Sequence, residues 1–228
     1  MPPLARSARN DGQRGDHESR HPSPRLDAKK KTLAATERSE SARREWRTAL
    51  ADLAPNRVVF LDESSINVRL TPTYARAPKG QRAQGTAPRN HGQNTTLVAA
   101  LSPTGLQAPM TLLGALDSNA FAVYVREFLL PTLAPGTVVI LDNLSVHKRA
   151  DIRALFAAAG CPLIFLPPYS PDFNPIELIF SKVKTRLRRL AARTQEALEE
   201  AIAEALTTIS AQDAAHCFRH CGYPVSDQ

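Results

Sequence analysis

Three carboxylates in this chain stand where they could do chemistry. Asp62 closes the apolar run Val58-Val59-Phe60-Leu61, and Asp142 closes a second run, Val138-Val139-Ile140-Leu141. Glu177 lies in Pro171-Asp172-Phe173-Asn174-Pro175-Ile176-Glu177, at the start of a long basic helix. An acid just past the last buried residue of a strand leaves a dry core with its oxygens free. Two such strand ends and one helix start can meet at one point and hold a divalent cation through oxygen alone, the donor set suited to Mg²⁺ or Mn²⁺. Beside so many lysines and arginines, a cation held by carboxylates suggests chemistry on phosphodiesters.

Each acid also has a plainer reading. Asn174 suits a helix N-cap and Pro175 the first helical position, so Glu177 falls where a glutamate closes a capping box. Asp142, in Leu141-Asp142-Asn143-Leu144-Ser145-Val146-His147-Lys148, can end its strand in an Asx turn. Asp62 and Glu63 are adjacent on one strand and point to opposite faces, so only one of them serves the site. Asp62 is taken for it, and Glu63 is left as a group behind it.

The candidate phosphate contacts surround these acids. Helical spacing puts Ile176, Ile179, Phe180, Val183, Leu187 and Leu190 on one stripe, with Glu177, Ser181, Lys184 and Arg188 on another face. Lys182, Lys184 and Arg188 on the helix are expected to meet DNA, with Asn143, His147 and Lys148 in the loop after Asp142. For His147, orienting a water or capping the next helix stay open. No protein nucleophile is needed, so Ser64, Ser65 and Ser145 read as turn residues.

The elements that must position these groups follow from the apolar pattern. Val58–Leu61 is a run buried on both faces, and Ile66–Leu70 either extends it or pairs with it. Thr71–Gly92 reads as a long loop with a short strand near Gln81–Ala83. Thr95–Leu101 and Leu106–Leu113 form a hairpin about Ser102-Pro103-Thr104-Gly105. Ser118 can cap a helix whose Phe121, Val125, Phe128 and Leu129 share a face. Strands at Val138–Leu141 and Leu163–Leu166 bracket a helix over Arg149–Ala159 that ends at Gly160. Helices then fill about 175–192, 195–209 and 211–220. Antiparallel strands, then alternating helix and strand, then helices, predict an α/β fold: a mixed sheet with antiparallel first strands, flanked by helices.

Composition sets the bounds. The 228 residues, 43% of them hydrophobic, suffice for one sizeable core and a small appended element. A net charge of +7 favours a polyanionic partner, nucleic acid first. Three cysteines argue against a disulfide framework and for a cytoplasmic setting. No apolar run approaches the roughly 18–20 residues of a membrane span, and no secretory h-region opens the chain. His216, Cys217, His220 and Cys221 form two i,i+4 pairs that zinc could use, although ordinary helix packing is the preferred reading. Cys161 reads as a small buried residue and Trp46 as the anchor of a helix.

Taken together, these motifs resemble a known family. Phe60-Leu61-Asp62-Glu63-Ser64, the 141–148 segment and Leu166-Pro167-Pro168-Tyr169-Ser170 running on to Glu177 are similar to the catalytic domain of bacterial IS630 transposases, of the Tc1/mariner group in the DDE superfamily. The 34 residues between Asp142 and Glu177 match the DD34E pattern of that group. The resemblance runs from about Lys29 to Tyr223. It implies a ribonuclease-H-like fold and catalytic, metal-binding positions at Asp62, Asp142 and Glu177. It also implies two Mg²⁺ or Mn²⁺ ions that support DNA cleavage and strand transfer. The partners implied are DNA, as transposon ends and target, and a second copy of the chain in a homodimer. Full-length members carry helix-turn-helix modules ahead of this domain, and no pair of amphipathic helices fits in residues 1–28. The chain is therefore expected to be a truncated copy: a disordered or misassigned leader (1–28), a basic linker helix (29–55), the catalytic domain (56–223) and a tail (224–228). The rival readings are a structure-selective nuclease of the same fold and a non-catalytic DNA-binding remnant that interferes with intact transposase.

Overall fold

The computed structural model describes residues 35–49, 54–72 and 74–225. The leader, the first residues of the expected linker helix (29–34) and residues 226–228 of the tail lie outside the described residues. Five strands form one sheet: β1 (Val58–Ile66), β2 (Thr95–Ser102), β3 (Gly105–Leu113), β4 (Val138–Leu141) and β5 (Leu163–Phe165). Their order is β3-β2-β1-β4-β5, with β1–β2 and β2–β3 antiparallel and β1–β4 and β4–β5 parallel. This is the mixed sheet expected, with its antiparallel strands first in the chain.

Helices cover both faces, which is why β1 and β4 read as unbroken apolar runs. Val58, Phe60, Ala99 and Ile140 face α4 (Pro175–Leu190), α5 (Gln195–Thr207) and α6 (Ala211–His220). Val59, Leu61, Val98 and Val139 face α2 (Ser118–Tyr124) and α3 (Ala150–Ala158). Alternation along β1 therefore sends Asp62 toward the α4 side and Glu63 toward the α2 side. A further helix, α1 (Glu40–Ala49), joins the α4 side, burying Trp46 and leaving Arg43 at 0% exposure. The segment expected as a basic linker helix thus buries two side chains, Arg43 and Trp46.

Several local expectations are corrected. Gln81–Ala83 is not a strand, since its side chains are exposed and one alanine among polar residues offers no apolar face to bury. β1 runs on through Asp62 to Ile66, so Asp62 sits within the strand rather than at its end, because β2 pairs with β1 from Phe60 to Ile66; of Ile66–Leu70 only Ile66 belongs to the strand. Asp117 rather than Ser118 caps α2, accepting from the amides of Asn119 and Ala120 at 2.9 and 2.8 Å. A π-turn over Val125–Leu129 widens the helix there. Phe121, Val125 and Leu129 remain buried, while Phe128 is left 49% exposed, stacked on Tyr124. Leu190, expected on the apolar stripe, comes at the last turn of α4 and is 37% exposed, because the chain turns away at Ala191 (φ 53°). Among the described residues no helix is long and apolar enough to cross a membrane.

Candidate active site

Register brings the first two acids together. The β1–β4 pairing matches Val58 with Val138 and Phe60 with Ile140. Asp62 and Asp142 each lie two residues further on. The 3₁₀ turn Pro171–Phe173 then leads into α4, whose first turn carries Glu177. All three acids line one cavity of about 350 Å³, together with Asn143, Tyr169 and Asn174. A cavity of about 480 Å³ at the other end of the sheet, between Ser102, Gln107 and Thr137, holds no ionisable side chain, so size does not mark the site.

Asp62 is 8% exposed. Its Oδ1 accepts from the Glu63 amide at 2.8 Å and its Oδ2 from Asn174 Nδ2 at 2.7 Å. Burial pushes its pKa up to about 8, reinforced by the charges of Glu177, Glu63 and Asp142. Glu177 is open to solvent on its outer side, yet partial burial toward the cavity raises its carboxyl. Lys184 opposes that rise, and Asp142 and Glu63 add to it. Asp142 Oδ1 accepts from the Leu144 amide at 3.1 Å, the Asx turn expected after the strand, and Asp142 also lines the cavity.

His147 locks Asp142 from behind. The ring is 1% exposed, packs on Phe121 at 4.7 Å and sets Nδ1 2.8 Å from Asp142 Oδ1. Its Nε2 lies 3.4 Å from Glu63 Oε2, a close charge contact rather than a good hydrogen bond, since that oxygen is buried without a partner. Burial acts against the imidazolium, but the Asp142 hydrogen bond and the Glu63 carboxylate outweigh it and raise the pKa to about 9. Glu63 thus meets the site from the opposite sheet face, through His147.

The candidate DNA contacts divide. Asn143 lines the cavity, and Lys184 is near enough to Glu177 to stabilise its charge. Arg188, one turn further along α4, is half-buried. Lys148 sits at the loop end, 5.9 Å over the Phe165 ring. Two of the residues are engaged within the fold. His147 is enclosed and turned to Asp142 and Glu63, leaving it no free approach to a phosphate. Lys182 is paired with Asp213 of α6 at 2.5 Å, because helical rotation turns it to that flank. Asn174, weighed in the sequence only as a cap, makes no capping bond and serves Asp62 instead. No local signal marks that role, because its partner is 112 residues away.

The donor set fits a divalent cation. Every cavity acid supplies oxygen, and Asp62 is held near neutrality by burial and like charge. Among the described residues, however, no group of three His, Cys, Asp or Glu side chains is drawn close enough to grip one ion. That holds for the acids and equally for the His216–Cys221 cluster, whose Cys221 is a buried free thiol.

A family model described as "DDE superfamily endonuclease" matches residues 57–199. The Transposable element Tc1 transposase of Caenorhabditis elegans is 30% identical over 79 residues, which are 35% of this chain and 29% of that protein. Among solved structures, the chain is similar to the Mos1 transposase paired-end complex with left transposon end, with a TM-score of 0.69 and 17% identity over 86% of this chain and 63% of that one. It is similar also to the Mos1 mariner paired end complex with Mn, with a TM-score of 0.68 and 16% identity over 86% of this chain and 64% of that one. At such identity the structural likeness shows the ribonuclease-H-like fold, and the chain spans less than two thirds of each of these relatives.

Proposed function

We infer the function of this chain from its family: it belongs to the DDE superfamily endonucleases. We propose that it is the catalytic domain of an IS630-type transposase of the Tc1/mariner group, occupying residues 56–223, and that it cuts and joins DNA strands. The observation that carries this reading is the convergence of Asp62, from within β1, Asp142, just past the end of β4, and Glu177, from the first turn of α4, on one cavity.

In this reading Asp62, Asp142 and Glu177 would hold two Mg²⁺ or Mn²⁺ ions, whose chemistry would be activation of a water or DNA 3′-hydroxyl and charge relief at the leaving oxygen. The chain's own residues do the rest. His147 keeps the Asp142 carboxylate turned toward the cavity. Lys184, Arg188 and Asn143 attract and seat the phosphate backbone beside it. The loop over Pro167-Pro168-Tyr169 forms one wall of the cavity. The proposed partners are transposon-end and target DNA, and a second copy of the chain.

The test is nicking of supercoiled plasmid by the purified chain in Mn²⁺, with EDTA as control. Metal-dependent nicking is expected. Salt-sensitive DNA binding without nicking would make the chain a non-catalytic DNA-binding protein. Cleavage confined to branched or flapped substrates would make it a structure-selective nuclease.

A further inference from the structure

We infer that Asn174 is a positioning residue, one that fixes the Asp62 carboxylate relative to Glu177. The inference rests on the reading of the acid cavity as a divalent-cation site. Asn174 stands at the N-cap of α4, where an asparagine side chain ordinarily accepts from the amide of the second or third helical residue. Here it makes no such bond. The residue is 3% exposed, and its Nδ2 donates to Asp62 Oδ2 at 2.7 Å. Its Oδ1 is buried without a partner. The helix forgoes a cap, and a buried acceptor goes unsatisfied; both cost stability.

What the arrangement supplies is geometry. The other Asp62 oxygen is already held by the Glu63 amide, so with the bond from Asn174 both carboxylate oxygens are held. The Asn174 carbonyl accepts from the Glu177 amide at 3.2 Å. One residue therefore touches Asp62 with its side chain and the Glu177 backbone with its carbonyl, tying β1 to the start of α4 at the cavity itself.

The turn that delivers Asn174 is fastened from behind. Asp172 takes two hydrogen bonds from the fully buried Arg43, at 2.9 and 2.5 Å. The Arg43 guanidinium lies 4.1 Å over the Phe173 ring. The Tyr223 hydroxyl donates to the Phe173 carbonyl at 2.8 Å and accepts from Trp46 Nε1 at 3.2 Å. Side chains from α1 and from the segment after α6 thus hold the two residues just before Asn174. A residue wanted only as a cap would not require that fastening.

The experiment separates capping from positioning with Asn174→Ser. Serine caps a helix about as well as asparagine and is too short to reach Asp62. Mn²⁺ binding is measured by calorimetry on the wild-type, Asn174→Ser and Asp62→Ala chains, and thermal unfolding without metal is recorded alongside. The expected result is an Asn174→Ser chain that melts no lower than wild type but binds Mn²⁺ about tenfold more weakly, the scale on which groups that orient metal ligands act. Wild-type Mn²⁺ affinity in Asn174→Ser would overturn the inference while leaving the cation-site reading intact. Wild-type protein that binds no Mn²⁺, or binding that survives Asp62→Ala, would overturn the cation-site reading and this inference with it.

Discussion

Asp62 and Asp142 each stand two residues beyond the Phe60–Ile140 pair that joins β1 to β4. Parallel neighbours advance together, so the two acids arrive at the same level of the sheet, close enough for the Asp142 charge to help raise the Asp62 pKa. Asp142→Asn keeps the shape and removes the charge a cation needs. Nicking in Mn²⁺ is expected to fall by more than about a hundredfold, since even groups behind the ligands cost 10–100-fold. The variant should fold as wild type does by circular dichroism. A folded Asp142→Asn chain that nicks at the wild-type rate would remove this residue from the site.

Stability of the metal-free protein should fall as pH rises. Asp62 keeps its proton to about pH 8 when folded, against 3.8 when unfolded, and His147 keeps its proton to about pH 9, against 6.5. Between those limits the folded state binds more protons than the unfolded one, so each unit of pH weakens it. The midpoint of thermal unfolding in EDTA should drop from pH 6 to pH 9. Mn²⁺ binds the ionised acids and should lift the midpoint most at the alkaline end. A midpoint in EDTA that rises over this range would contradict the buried, like-charged arrangement.

The Arg43–Asp172 pair should matter for folding. Asp172→Ala strands a guanidinium that is 0% exposed. Losing one partner of a fully buried pair costs about 3–5 kcal/mol, but Asp172 is itself 53% exposed, so roughly 2 kcal/mol is expected here. Urea unfolding at neutral pH measures it, and a change under about 0.5 kcal/mol, the size of an ordinary surface substitution, would show that the pair is screened.

Binding to duplex DNA should be steeply salt-dependent and nearly indifferent to sequence. Lys184→Ala should lower the slope of log affinity against log salt by about one. Lys182→Ala should leave it unchanged, because Asp213 already neutralises that ammonium. Equal effects from the two variants would mean that DNA reaches the α6 flank of α4 as well as the cavity side.

The sequence by itself determined the sheet and the placing of the acids. Runs such as Val58–Leu61 and Val138–Leu141 are satisfied between two helix layers, and the acids that follow them, Asp62 within β1 and Asp142 just past β4, come to one level of the sheet. Asn174, Pro175 and the stripe from Ile176 to Leu187 fixed where α4 begins, and with it the place of Glu177 in the first turn. Those signals are local, carried by residues within one or two turns of each other.

Only the tertiary structure decided what the neighbouring polar groups do. His147 and Lys182 are ordinary loop and helix polar residues in sequence, and packing turned one against Phe121 and the other to Asp213. Asn174 reads as a cap until Asp62, 112 residues away, is set beside it. Nothing near Arg43 in the chain marks it for burial; its partner Asp172 is 129 residues away. Burial patterns repeat with the period of a helix or strand and can be read along the chain. A hydrogen bond or ion pair between distant segments leaves no such period, because its partner is chosen by how the sheet and helices pack.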